Sequence, residues 1–211
     1  MARLSREIVI TEKIDGTNAS IFIQHKDIEE PDQVDSIIDL IGDYTIRAGS
    51  RTKWITPKDD NYGFANWVKS NSKDLIEYLG EGRHFGEWWG SGIQRGYGLT
   101  KGDKRFSLFN VIRWHLNGQP PSRIKSENPM IEKWTEELPA CCSLVPELYR
   151  GVFDTDHAIF TLMDLRDYGS KAAPGFMKPE GIVLFHIAGN VGFKKTLEKD
   201  DEPKSKSNGN V

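Results

Sequence analysis

The sequence predicts an α+β protein, antiparallel sheets flanked by helices, and three observations lead there. Short β-branched and aromatic runs recur between turn residues, as half-buried strands do. One stretch, 64–79, instead spaces its apolar residues at helical intervals. Near the carboxyl end two apolar runs flank Ala188-Gly189-Asn190, a hairpin signal. A chain of 211 residues is long enough for one sizeable core, or a core with a small appendage.

Taken in order, Ile8-Val9-Ile10 and Ser20-Ile21-Phe22-Ile23 read as strands joined by a tight Asp15-Gly16-Thr17-Asn18 connection, with Lys13 at a strand end. The acidic stretch 26–35, holding Pro31, reads as a solvated excursion into the apolar run 37–41, and 44–49 as a strand ending in a loop. Phe64, Trp67, Val68, Leu75, Ile76 and Leu79 fall on a helical face interrupted near Ser70-Asn71-Ser72, giving one broken helix or two short ones. Strands are expected over 83–88 and 106–112, on either side of a glycine-rich loop, and a polar loop over 117–129. Leu144-Val145-Pro146 leads into the run 148–151, a helix follows over 155–165, and strands over 182–187 and 191–195 close the fold. The charged, apolar-poor stretch 198–211 reads as a disordered tail after a domain spanning 1–197.

Composition narrows the class. A net charge of −3 argues against a protein held to nucleic acid by overall charge, while leaving room for a local basic groove. Cys141 and Cys142 are adjacent, so they neither frame a disulfide scaffold nor have metal-ligand spacing. The first residues lack an apolar signal core and no stretch approaches the length of a membrane span, so a soluble, cytoplasmic protein is expected.

Several patterns fail on inspection. The glycines of 90–98 miss the dinucleotide spacing, and no Gly-Lys-Ser/Thr follows. His25, His84, His115, His157 and His186 contain no pair at ligand spacing. No Gly-x-Ser-x-Gly elbow is present. Lys13, two residues before Asp15-Gly16, could serve as a nucleophile, but Lys-x-Asp-Gly also occurs in ordinary surface turns.

The charged residues at later strand ends change the weight of Lys13. Ser50-Arg51 follows the third strand, Glu87 lies in Phe85-Gly86-Glu87-Trp88-Trp89-Gly90, and Phe109 in Leu108-Phe109-Asn110-Val111. Glu180 heads Glu180-Gly181-Ile182-Val183, and Lys194-Lys195 close the final hairpin. This ordered series over residues 8 to 196 resembles the covalent nucleotidyltransferases, the superfamily of ATP-dependent ligases and mRNA capping enzymes. Glu12-Lys13-Ile14-Asp15-Gly16-Thr17-Asn18 is similar to the RNA ligase branch, which includes nick-sealing phage and RNA-editing ligases. DNA ligases and capping enzymes usually carry arginine where this chain has Asn18.

The resemblance implies an adenylation domain of the DNA/RNA ligase type, with antiparallel sheets enclosing an ATP pocket and helices outside. It implies that Lys13 attacks the α-phosphorus of ATP, expels pyrophosphate and holds AMP as a phosphoramidate. Glu12, Ile14, Thr17 and Asn18 would line the nucleotide pocket, Glu87 would accept from the ribose hydroxyls, and Phe109 would stack on adenine. Arg51 would contact a phosphate or the RNA end. Glu180 would hold Mg²⁺, or Mn²⁺, directly or through water. Lys194 and Lys195 would neutralise the α-phosphate and, as nearby cations, favour the free amine of Lys13. The AMP would pass to an RNA 5′-phosphate, which a 3′-hydroxyl then joins, a chemistry suited to RNA repair.

Each position also has a plain structural reading: Glu87 as a strand-end charge, Phe109 as core, Arg51 as a loop arginine, Lys194-Lys195 as an exposed strand end, Glu180 as a turn carboxylate. The family's last motif spaces its lysines alternately, whereas here they adjoin; neighbouring strand residues face opposite ways, so one of them reaches the phosphate. Lys194 is preferred, with Lys195 outward toward solvent or RNA. The short stretch after Lys195 leaves no room for the C-terminal domain with which many relatives grip RNA, so self-adenylylation is a safer expectation than sealing, and a partner subunit is one source of that grip. A DNA nick ligase, another adenylyltransferase and a non-sealing RNA-end-binding domain are the alternatives.

Overall fold

The computed structural model of the protein describes residues 5–28, 35–114 and 138–198. The expected loop over 117–129 lies outside them, as do most of the acidic excursion (29–34) and all of the expected tail beyond Glu198. In chain order the strands and helices are β1 (Glu7–Lys13), β2 (Thr17–His25), β3 (Ile37–Ile41), β4 (Tyr44–Ser50), β5 (Trp54–Ile55), α1 (Phe64–Ser70) and α2 (Ser72–Leu79). There follow β6 (Gly82–Gly90), β7 (Lys104–Leu108), α3 (Val111–Trp114), β8 (Cys142–Leu144), β9 (Glu147–Val152), α4 (Thr155–Tyr168), β10 (Gly181–His186) and β11 (Val191–Thr196). The mixed α+β composition matches expectation, and among the described residues every strand pairing is antiparallel except that of β7 with β8.

The chain forms two compact units, one of residues 1–15 with 145–211, the other of residues 16–144. The tight connection after Lys13 is present, but the strands it joins belong to different sheets: β1 pairs with β9 and β10, and β2 with β4 and β6.

The first unit is a four-stranded sheet in the order β11-β10-β1-β9. Alternation along β1 sends Ile8 and Ile10 to one face, where they pack with Ile182, Leu184 and Leu165 of α4. The helix starts where Asp154 Oδ1 accepts from the Asp156 N–H at 2.8 Å and stops at Gly169, whose φ of 78° favours a residue without a Cβ. It runs one turn beyond the expected 155–165.

The second unit is a seven-stranded sheet in the order β3-β4-β2-β6-β7-β8, with β5 added against β4. One face carries Ile21, Ile23, Ile46, Ala48, Trp88 and Phe106, covered by Phe64, Ala65, Val68, Leu75 and Leu79 of α1 and α2. Phe64 is fully buried and lies 5.1 Å from Phe106 and 5.4 Å from Trp88, so truncating it to alanine should cost about 3–5 kcal/mol. The expected break in this helical stretch falls at Asn71, which separates α1 from α2. The strand expected over 106–112 ends early, at Leu108. Asn110 is the cause: its Oδ1 accepts from the Arg113 N–H at 3.0 Å, capping α3 instead of extending the ladder.

Candidate active site

Adjacent residues of β1 face opposite ways, and this sorts the charges of the first unit. Lys13 is the last residue of β1, opposite Gly181, and its Nζ donates to Glu180 Oε2 at 2.5 Å. The Glu180 side chain is buried, that of Lys13 about one-fifth exposed. Gly181 is required by close approach, because a Cβ there would collide with the Lys195 carbonyl and the Thr196 Cα of β11. That contact keeps Glu180, Lys13 and the end of β11 together.

The register puts the two final lysines on opposite faces of the sheet. Lys194 is opposite Val183, which is opposite Thr11; Lys195 is opposite Ile182, which is opposite Glu12. Paired residues share a face and alternate residues share a face, so Lys194 lies on the Lys13 face and Lys195 on the α4 side with Glu12. Both lysines are exposed on β11.

Glu12, expected to line the nucleotide pocket, has a carboxylate held by the loop after α4. It is 1% exposed and accepts from Ser170 Oγ at 2.6 Å, the Lys171 N–H at 2.8 Å and the Ala172 N–H at 2.9 Å. Three donors on one buried carboxylate tie β1 to the loop after α4. Ser170 completes the loop by accepting from the Ala173 N–H. No local signal marks Ser170, which stands 158 positions from Glu12; only the sheet's alternation hints that Glu12 and Lys13 have different partners.

The second unit carries the other expected residues. Asn18 of β2 and Glu87 of β6 are directly opposite each other, and Glu87 Oε1 accepts from the Gly16 N–H at 3.1 Å. Gly16 admits no side chain: a Cβ would sit 2.5 Å from the Trp88 carbonyl oxygen and 2.8 Å from Trp89 Cβ. The glycine of the Lys-x-Asp-Gly sequence is therefore a packing requirement as well as a turn residue. Thr17 Oγ1 accepts from Asn61 Nδ2 at 3.1 Å, Ile14 is buried, and Arg51 is exposed in the connection from β4 to β5. Phe109 is 38% exposed, so it is not a core residue; its N–H donates to the Phe85 carbonyl at 3.0 Å. Among the described residues no helix is long and apolar enough to cross a membrane.

The RNA ligase family model matches residues 6–196, and the chain belongs to that family. No curated protein matches it in sequence. Among solved structures it is similar to an RNA ligase of Naegleria gruberi. A glutamate-to-alanine variant with ATP and Mn superposes with a TM-score of 0.57 at 15% identity, over 92% of this chain and 51% of that one. A second variant, with AMP and Mn, gives 0.57 at 16% identity over the same shares, and the ligase with pyrophosphate 0.53 at 15% over 92% and 50%. The chain spans about half the length of these ligase chains, and at such identities the likeness describes the fold.

Proposed function

We propose that this chain is an ATP-dependent RNA ligase domain of the nucleotidyltransferase type, joining RNA 5′-phosphate and 3′-hydroxyl ends through lysyl-AMP and an adenylylated RNA 5′ end. The observation that carries the reading is the pairing of Lys13 Nζ with Glu180, on a sheet face shared with Lys194, in a chain of the RNA ligase family. The Naegleria ligase structures with ATP, AMP, Mn and pyrophosphate support ATP and a divalent ion as its needs.

An ammonium is not a nucleophile, so Lys13 first gives up a proton to solvent, while Glu180 Oε2 keeps its Nζ in place. The amine attacks the α-phosphorus of ATP; a P–N bond forms, the P–O bond to the β-phosphate breaks and pyrophosphate leaves. Lys194 stabilises the negative charge that gathers on the α-phosphate. An oxygen of the RNA 5′-phosphate then displaces Lys13 from phosphorus, giving AMP-capped RNA. A 3′-hydroxyl attacks the RNA phosphorus, loses its proton and expels AMP.

Within the second unit Asn18 lines the nucleotide pocket, Glu87 accepts from the ribose hydroxyls, Phe109 offers its exposed ring to adenine, and Arg51 meets a phosphate or the RNA end. Among the described residues no group of three or more His, Cys, Asp or Glu side chains could enclose a metal. A single carboxylate nonetheless fits an ion that keeps its waters and phosphate ligands, and Glu180 is the residue that would hold it. Mg²⁺ or Mn²⁺, when bound, supplies charge neutralisation on the triphosphate. Glu12 supports the site by fixing the loop after α4, and Lys195 stands apart from the phosphate.

The test is incubation of the full chain with Mg²⁺ and ATP labelled at the α-phosphate, read by intact mass and label. An AMP adduct on the wild type and none on Lys13→Ala is the expected result; no adduct, or an equal one on the variant, contradicts the proposal. Single-stranded RNA, nicked duplex and DNA offered next separate RNA sealing from DNA nick ligation and from end binding alone.

A further inference from the structure

The face of the seven-stranded sheet opposite its aromatic core changes character along its length. Alternation and register place Asn18 opposite Glu87, Ser20 opposite Phe85 and Phe22 opposite Arg83. Moving away from Glu87, polar groups give way to rings and a guanidinium within about 7 Å per pair of residues. The Arg83 guanidinium lies 4.8 Å from the Trp54 ring and 5.1 Å from the Phe85 ring, and Phe22 lies 5.8 Å from Trp54.

This cluster is built rather than incidental. Arg83 Nε and Nη2 both donate to Ser20 Oγ at 3.3 Å, and Gly49 forms the floor. A Cβ on Gly49 would sit 2.7 Å from Ser20 Oγ and 3.4 Å from both Arg83 Nη2 and Trp54 Cε3. The bare glycine leaves room for Ser20 Oγ, the acceptor that holds Arg83 beside Trp54. Two of its donors share one hydroxyl at long range, and among the described residues no carboxylate forms an ion pair with Arg83. Phe85 is 47% exposed, an apolar ring held open to solvent beside that cation.

An exposed ring beside an unneutralised guanidinium, along a continuous strand from the proposed nucleotide residues, has the two elements that single-stranded nucleic acid needs. A base stacks on a ring whatever its identity, and a guanidinium fork takes a phosphate through paired hydrogen bonds. We propose that Phe85, Arg83 and Trp54 form a docking platform for a single-stranded polynucleotide segment, a base on Phe85 and a backbone phosphate on Arg83. The inference rests on the ligase reading, which makes a polynucleotide a substrate, and it concerns residues to which the series discussed above gives no role.

The experiment is fluorescence anisotropy of the full chain with labelled 5′-phosphorylated RNA and DNA oligomers of about a dozen nucleotides, across a salt series. Phe85→Leu keeps bulk and removes the ring face, and Arg83→Ala removes the fork; thermal melting checks that each variant folds. Each should bind about tenfold or more weakly, the loss expected for one stacked base. Arg83→Ala should also lower the slope of log affinity against log salt by about one, which a merely structural role would not do. Arg83→Lys should restore the slope and only part of the affinity. Affinities and slopes within twofold of wild type in both variants, or no binding of either oligomer by the wild type, overturn the platform. AMP adduct formation by the wild type is scored separately: its absence alongside normal RNA binding sinks the ligase reading, whereas adduct formation with unaltered variant affinities sinks the platform alone.

Discussion

The two units bury ionisable side chains by different means. In the four-stranded unit, Glu12 is satisfied by three donors and Glu180 by the ammonium of Lys13. In the seven-stranded unit, His84 is buried without a charged partner of opposite sign. Its Nε2–H donates to the Gly80 carbonyl at 2.9 Å, leaving Nδ1 to accept from Arg113 Nη1 at 3.2 Å. Burial, and secondarily the Arg113 guanidinium, push the imidazole down to about 4, although the Gly80 hydrogen bond opposes them. The difference teaches that the first unit holds its buried carboxylates beside donors, where the proposed reaction needs them, while the second keeps His84 neutral and sets its buried cation, Arg47, against Gln24 Oε1 and the Phe22 ring.

The largest expected effect breaks the first half of that comparison. Glu12→Ala removes the acceptor for a hydroxyl and two backbone N–H groups in a dry setting, where each orphaned donor costs about 1–3 kcal/mol. A loss on the order of 4 kcal/mol in urea unfolding is expected; a loss below about 1 kcal/mol would mean that water replaces the carboxylate and that the clamp is not structural.

The second half is tested by pH. Because the folded His84 holds its proton only below about 4, against 6.5 ordinarily, the unfolded chain binds the extra proton first on acidification. The stabilisation from neutral His84 is complete above pH 6.5 and is lost as the pH falls from 6.5 to 4, on the order of 3 kcal/mol in all. Urea unfolding of the wild type and of His84→Gln between pH 7 and pH 4 should show this slope in the wild type and its loss in the variant. Equal slopes would contradict the assignment.

The smallest effect sharpens the division between the faces of β1. Lys194→Ala should slow AMP adduct formation about tenfold or more, the scale of losing one charge stabiliser. Lys195→Ala should change it by less than about threefold, since its strand position faces the α4 side. The reverse order would place the phosphate on the other face.

Much of this was readable from the sequence, for local reasons. β-branched alternation marks the strands, and Asn71 falls where the helical spacing breaks. Partnership was not readable, because register is set by residues far apart: nothing near Asp15-Gly16 says that β1 and β2 enter different sheets. The early end of β7 could have been seen, since Asn110 is a good helix cap set within a strand-like run. Glu12 shows the limit best. Its neighbour Lys13 belongs to a recognisable series, yet the role of Glu12 depends on Ser170, 158 positions away. Gly49 and Arg83 carry no motif at all, and only the packed sheet brings them beneath Trp54.

The most direct measurement is to digest the AMP adduct and locate the modification by tandem mass spectrometry. The account predicts AMP on the peptide containing Lys13, labile to acid as a phosphoramidate is. AMP on Lys171, Lys194, Lys195 or any other residue, with Lys13 unmodified, would contradict it.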